Sequence, residues 1–198
     1  APYIIPLLYV PFFTGTFVVE LFRHNGSPIL NVAMSLLGHI YVALPFSCLC
    51  MIESLGASGD VSADEANWQG GAFVLAFFIA IWVSDTGAYL VGRAIGRHKL
   101  YERVSPKKSW EGFVGGIVGS VAVGAIGASV LGGSYGVWIG LAVVVALSSV
   151  VGDLIESMFK RDAKVKDSGS IMPGHGGILD RFDALIISAP FALIYLWV

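Results

Sequence analysis

Five carboxylates in this sequence stand where carboxylates are expensive. Asp85 lies in the apolar run Ile81-Trp82-Val83-Ser84-Asp85-Thr86-Gly87; Asp153 and Glu156 lie near the end of another; Asp180 and Asp183 open a third. Ionisable groups inside apolar spans carry a large desolvation cost, so they are functional candidates by default. Spacings of three residues put Asp153 with Glu156, and Asp180 with Asp183, on shared helix faces. Close to these acids in the sequence are two basic segments, Arg93 to Lys108 and Lys160 to Arg181. Carboxylate oxygens suit Mg²⁺, a hard cation that binds substrate phosphates, and Lys and Arg neutralise the remaining phosphate oxygens. A proton path would need the acids but not this ring of cations. There is no Gly-x-x-x-x-Gly-Lys-[Ser/Thr] phosphate loop and no dinucleotide fingerprint, which argues against a soluble nucleotide-binding fold.

The elements that must hold these residues are set by composition. Of 198 residues, 56% are hydrophobic and 13% charged, against roughly 25% charged in soluble domains. Six stretches, 3–21, 29–55, 70–92, 112–132, 135–159 and 184–198, are apolar enough to cross a bilayer, which takes about 20 helical residues. The fold class expected is all-α, a polytopic membrane helical bundle of about six transmembrane helices, with 1–198 as a single membrane domain. All 12 Lys and Arg fall at Arg23, between 93 and 108, and between 160 and 181, whereas loop 56–69 carries Asp60, Asp64 and Glu65. Alternation of this kind obeys the positive-inside rule. It places the N-terminus outside and loops 93–111 and 160–183 in the cytoplasm, as active-site loops.

Other features are less specific. The fourth span holds Gly112, Gly115, Gly116, Gly119, Gly124 and Gly127. Gly115 and Gly119 form a small-xxx-small pair, read first as helix packing within the chain and alternatively as a homodimer contact. Cys48 and Cys50 read as buried small hydrophobes. His24, His39 and His98 read as interface or packing residues, and Trp68, Trp110 and Trp138 as interfacial anchors. No nucleic-acid partner is expected.

The segment from Ser157 to Asp183, SMFKRDAKVKDSGSIMPGHGGILDRFD, is the most specific. It resembles the signature of the phosphatidate cytidylyltransferases, also called CDP-diacylglycerol synthases. The resemblance rests on Ser157, Lys160, Arg161, Lys166, Asp167, Gly169, Pro173, His175, Gly176, Gly177, Asp180, Arg181 and Asp183. Ser84-Asp85-Thr86-Gly87-Ala88-Tyr89 and Ser105-Pro106-Lys107-Lys108-Ser109-Trp110-Glu111-Gly112 are similar to further family segments. Family members usually carry more spans before this region, so the chain is expected to be the C-terminal part of a longer protein.

The resemblance implies a nucleotidyltransferase of phospholipid biosynthesis that condenses CTP with phosphatidate, releasing pyrophosphate. It implies Mg²⁺ and leaves room for a second, monovalent cation. Asp153 and Asp180 are the expected metal ligands, with Glu156, Asp183 and Asp167 in support. Lys160, Arg161, Lys166 and Arg181 are expected to hold triphosphate or phosphatidate oxygens, and His175 to donate to phosphate. Lys107, Lys108 and Ser109 would close the site from the other loop, with Ser157, Gly176, Gly177 and Asp85 on the substrate side. Glycine amides before a helix N-terminus favour anions. The implied setting is a bacterial cytoplasmic membrane with the site facing the cytoplasm. Two rivals make different products or none: a CTP-dependent kinase of a polyprenol-like lipid, and an ion-coupled transporter.

Overall fold

Apolar runs bounded by serine caps, glycines and charged turns set the order of elements. The computed structural model describes residues 4–23, 26–55, 63–169 and 177–198, without the side chains of 4–8 and 63–69. Six helices are present among them: α1 (Ile4–Phe22), α2 (Pro28–Leu55), α3 (Ala63–Ile95), α4 (Trp110–Leu131), α5 (Tyr135–Asp162) and α6 (Leu179–Trp197). Their bounds track the six apolar stretches. The largest departure is α3, whose helix starts at Ala63, inside the acidic segment 56–69. Among the described residues, four helical stretches are long and apolar enough to cross a membrane: Pro28–Leu55, Gly70–Ile95, Trp110–Leu131 and Tyr135–Asp162. In α6, Asp180, Arg181 and Asp183 crowd the first turns of a 19-residue helix, which breaks its apolar run.

The helical fold is as expected, with one addition. Between α3 and α4 lies an antiparallel hairpin of β1 (Lys99–Tyr101) and β2 (Ser105–Ser109), with Lys99 opposite Ser109 and Tyr101 opposite Ser105. Pro106 is tolerated because both strands of a two-stranded sheet are edges. Ser109 ends β2 and caps α4, its Oγ accepting from the Gly112 N–H at 3.2 Å.

The chain divides into two compact units, Ala1–Leu44 and Pro45–Val198, with the boundary inside α2. In the first, the Asn31 side-chain amide donates to Glu20 Oε1 at 2.7 Å, giving a carboxyl on an apolar helix a polar partner. In the second, the core is built from Ile52, Phe77, Leu141, Val145, Leu185 and Ala189. Glycines set how closely its helices approach. A Cβ on Gly112 would stand 2.6 Å from the Ala88 carbonyl, and one on Gly116 2.8 Å from that of Ser84, so α3 and α4 touch backbone to backbone. A Cβ on Gly152 would stand 2.5 Å from the Asp183 carbonyl, which locks α5 onto α6. Gly115 and Gly119 face Val91 and Val83 of α3. The pair that raised a homodimer contact is thus used inside the chain.

Candidate active site

Five elements of the second unit end around one cavity of about 500 Å³. The C-terminal part of α3 supplies Asp85 and Tyr89, the hairpin Leu100, Lys107, Lys108 and Ser109, and the start of α4 Gly112 and Phe113. The end of α5 supplies Asp153 and Lys160, and the start of α6 Asp180, Arg181 and Asp183; Asp167 joins from the turn between them. Ten of the residues singled out from the sequence therefore line one space: Asp85, Lys107, Lys108, Ser109, Asp153, Lys160, Asp167, Asp180, Arg181 and Asp183.

Two charged groupings meet at this cavity, with Glu156 fully buried behind its lining. Asp153, Glu156 and Asp183 each offer a carboxylate oxygen, all within 4.8 Å of one another. Glu156 is fully buried, and among the described residues its Oε1 has no hydrogen-bond partner. Lys108 from the hairpin pairs with Asp153, and Ser157 donates to Asp153 Oδ1 at 3.3 Å. Lys160 stands between the groupings, 2.5 Å from Glu156 Oε2 and 2.7 Å from Asp180 Oδ1. The Glu156–Lys160 spacing of four, with the acid N-terminal, is the favourable helical order.

Asp180 belongs to the second grouping. Its Oδ2 accepts from the Ser168 N–H at 2.8 Å, the Ser168 hydroxyl at 2.8 Å and the Gly177 N–H at 2.7 Å. Burial alone would raise its pKa, but Lys160, Gly177 and Ser168 more than reverse this and hold it well below the usual carboxylate range. Asp180 thus pins the turn after α5 to the start of α6. Asp153 and Asp180, expected to act together on a metal, pair here with different lysines, Asp153 with Lys108 and Asp180 with Lys160, and Asp180 is not in the cluster of Asp153, Glu156 and Asp183. Glu156 and Asp183, expected in support, stand with Asp153 instead.

Arg161 and Lys166 are exposed and lie outside the cavity lining. His175 and Gly176 lie outside the described residues. Gly177 contributes its backbone N–H to Asp180. Some contributors were not singled out from the sequence. Ser168 sits at a free position of the motif, so nothing in the pattern marked it. Leu100 and Phe113 are apolar lining residues outside the family-like segments and carry no chemical signal, and Tyr89 stood only as the last residue of the segment Ser84–Tyr89. His98, read as a packing residue, instead places Nδ1 2.6 Å from Glu111 Oε1 while its ring is largely exposed.

Carboxylates and lysines around a cavity of about 500 Å³ agree with a family finding. The sequence matches the cytidylyltransferase family over residues 2–198. The chain belongs to that family. It is 42% identical over 151 residues to a phosphatidate cytidylyltransferase of Staphylococcus saprophyticus, covering 75% of this chain and 58% of the relative. The same figures hold for one from Staphylococcus epidermidis. A third, from Staphylococcus aureus, is 35% identical over 199 residues, covering 92% of this chain and 76% of the relative. The chain thus spans less than two thirds of the length of the first two relatives. With four helices fit to cross a bilayer, this member of the family is a membrane protein.

Proposed function

We propose that the protein transfers a cytidylyl group from CTP to phosphatidate, giving CDP-diacylglycerol and pyrophosphate. The observation that carries this reading is the cavity where Asp153 and Asp183, clustered with the buried Glu156 behind them, meet Lys107, Lys108, Lys160 and Arg181. The names of the relatives point to the same substrates. In the reaction a phosphate oxygen of phosphatidate bonds to the α-phosphorus of CTP. The bond from that phosphorus to the bridging oxygen breaks, and pyrophosphate leaves with the electron pair. Phosphatidate oxygen is already ionised near neutrality, so the step needs cations more than a general base.

The oxygen-only set Asp153, Glu156 and Asp183 fits a hard divalent ion such as Mg²⁺, and Glu156 Oε1, without a hydrogen-bond partner among the described residues, offers it a buried ligand oxygen. Bound there, Mg²⁺ would neutralise phosphate charge. Lys108 and Lys160, now on Asp153 and on Glu156 and Asp180, are placed to exchange carboxylate for phosphate oxygens. Lys107 and Arg181 extend the same positive lining. Tyr89 and Phe113 offer apolar surface to the less polar parts of the substrates.

Orientation belongs to the same proposal: six spans, an outside N-terminus and a cytoplasmic site in a bacterial membrane. With Cys48 and Cys50 replaced by Ser, a Ser58→Cys probe should be labelled by an impermeant thiol reagent on intact cells. A Glu102→Cys probe should react only after permeabilisation. Equal labelling of both would overturn the orientation. For the reaction, the purified protein is incubated with labelled CTP, phosphatidate and Mg²⁺. Cytidylyl lipid and pyrophosphate should form one for one. Phosphorylated lipid with CDP, or no nucleotide in the lipid fraction, would overturn the reading.

A further inference from the structure

We infer that Glu111 is a positioning residue: its carboxylate fastens the base of the β1–β2 hairpin so that Lys107 and Lys108 face the acidic end of α5. The inference rests on the proposed reaction for its kinetic part only.

The geometry starts where α3 ends. After Ile95 the chain must leave the helix, run out along β1, return along β2 and enter α4 at Trp110. The backbone N–H groups of Arg97 and His98 fall outside both the α3 helix and the strand ladder. One carboxylate takes both: Arg97 N donates to Glu111 Oε2 at 3.1 Å, and His98 N to Oε1 at 3.2 Å and Oε2 at 3.3 Å. The His98 ring closes on the same Oε1, and the Trp110 N–H donates to the His98 carbonyl at 2.9 Å. Glu111 also lies in the first turn of α4, where the helix dipole favours an anion. It therefore ties the exit of α3 to the entry of α4 across the open end of the hairpin.

What this tie controls is a register. Ser109 must cap α4, Lys99 must face Ser109, and Lys108 must then reach Asp153. The strands are only three and five residues long. A two-stranded sheet this short is marginal on its own. Without Glu111 the short ladder, the Trp110–His98 bond, the Ser109 cap and the Lys108–Asp153 pair would remain, but the exit of α3 would lose its carboxylate tie to the entry of α4.

The test is lysine acylation of the purified full chain in lipid, read by peptide mass spectrometry. In the parent protein Lys108, held on Asp153, should react slowly, as should Lys160 between its two acids. Glu111→Ala should raise Lys108 acylation by about fivefold, as expected when a few charge-assisted hydrogen bonds no longer oppose local opening. Glu111→Gln, which keeps the shape and guards against a misfolded Ala variant, should raise it less, and His98→Ala less again. Lys160 should stay slow in all three. The kinetic counterpart is a rise of about tenfold in KM for CTP with a smaller change in kcat, because uniform binding is lost. Lys108 remaining slow in both Glu111 variants would overturn the inference. So would Lys160 becoming as reactive as Lys108, since that signals general loosening. If the parent protein makes no cytidylyl lipid, the proposed reaction falls, while the acylation pattern still decides the role of Glu111.

Discussion

The two walls of the cavity deliver charge by different means. The acids of α5 and α6 stand on helices locked together at Gly152, where a Cβ would meet the Asp183 carbonyl. The cations of β2 stand on a short hairpin held at its base by Glu111 and at its far side by the Lys108–Asp153 pair. A group that must hold a fixed ligand geometry gains from a rigid support. A group that must release a carboxylate and take up a phosphate gains from a softer one. The division predicts that damage to the helix wall abolishes the reaction, whereas damage to the hairpin weakens substrate binding.

The sharpest break should come from the carboxylates. Asp153→Asn and Asp183→Asn should each lower turnover by about 10²-fold or more, as loss of preorganised charge at a reacting phosphate does. Their double variant should be little worse than either, because residues acting on one ion are non-additive. Asp180→Asn should also lose activity, but by freeing Ser168 and Gly177, so raised Mg²⁺ should restore Asp153→Asn and Asp183→Asn partly and Asp180→Asn not at all. Turnover measured against Mg²⁺ concentration separates the cases. Equal recovery of all three would return Asp180 to the metal set.

Next in size is the packing that carries those acids. Gly152→Ala should cost about 1–3 kcal/mol, the range for overpacking a close contact, and should lower activity without touching a charged group. Thermal unfolding in lipid or detergent checks this. A neutral substitution would mean that α5 and α6 are free to part, and the helix wall would lose its claim to rigidity.

On the hairpin, the two lysines should differ. Lys108→Ala should raise KM for CTP about tenfold, since it removes a charge-assisted contact. Lys107 is more exposed, so Lys107→Ala should raise it only about threefold, within the range for a solvated ion pair. Equal kinetics in both variants would leave the exposure difference without consequence.

Much of this arrangement is legible in the sequence because a bilayer permits few solutions. Apolar runs must be helices, and five acids among them must have partners. The Ser157–Asp183 segment, with its fixed polar positions, marked the end of the molecule where the cavity lies. The partners of each acid were not legible. Asp180 and Asp183 share a helix face by spacing, yet Asp180 reaches back to Ser168 and Gly177 while Asp183 faces Asp153 and Glu156. That choice depends on where α6 begins and how Gly152 seats it, which are tertiary facts. The hairpin was invisible for another reason. Three and five residues give too little alternation to register as strands, and Pro106 argues against one.

The smallest effect expected concerns the turn that leads from the helix wall to Asp180. Helix α5 ends with the Lys164 N–H on the Arg161 carbonyl at 3.1 Å and the Val165 N–H on the Lys160 carbonyl at 2.9 Å. These two bonds define a Schellman end, which needs a left-handed residue between them. Lys164 fills that place at φ 56°, the one described non-glycine residue with positive φ. Glycine adopts this backbone without a Cβ penalty, which is on the order of 1 kcal/mol for other residues. Lys164→Gly should therefore stabilise the protein by no more than about 1 kcal/mol, reduced by the greater chain entropy of glycine when unfolded. The Lys164 side chain is exposed and is not part of the cavity lining, so KM for CTP should not change. Lys164→Ala, which keeps the Cβ, should show no gain. The pair of variants, compared by thermal unfolding, isolates the backbone contribution. A gain in both would trace it to the lost charge among neighbouring cations, and a loss in Lys164→Gly would show that the turn draws its geometry from the side chain.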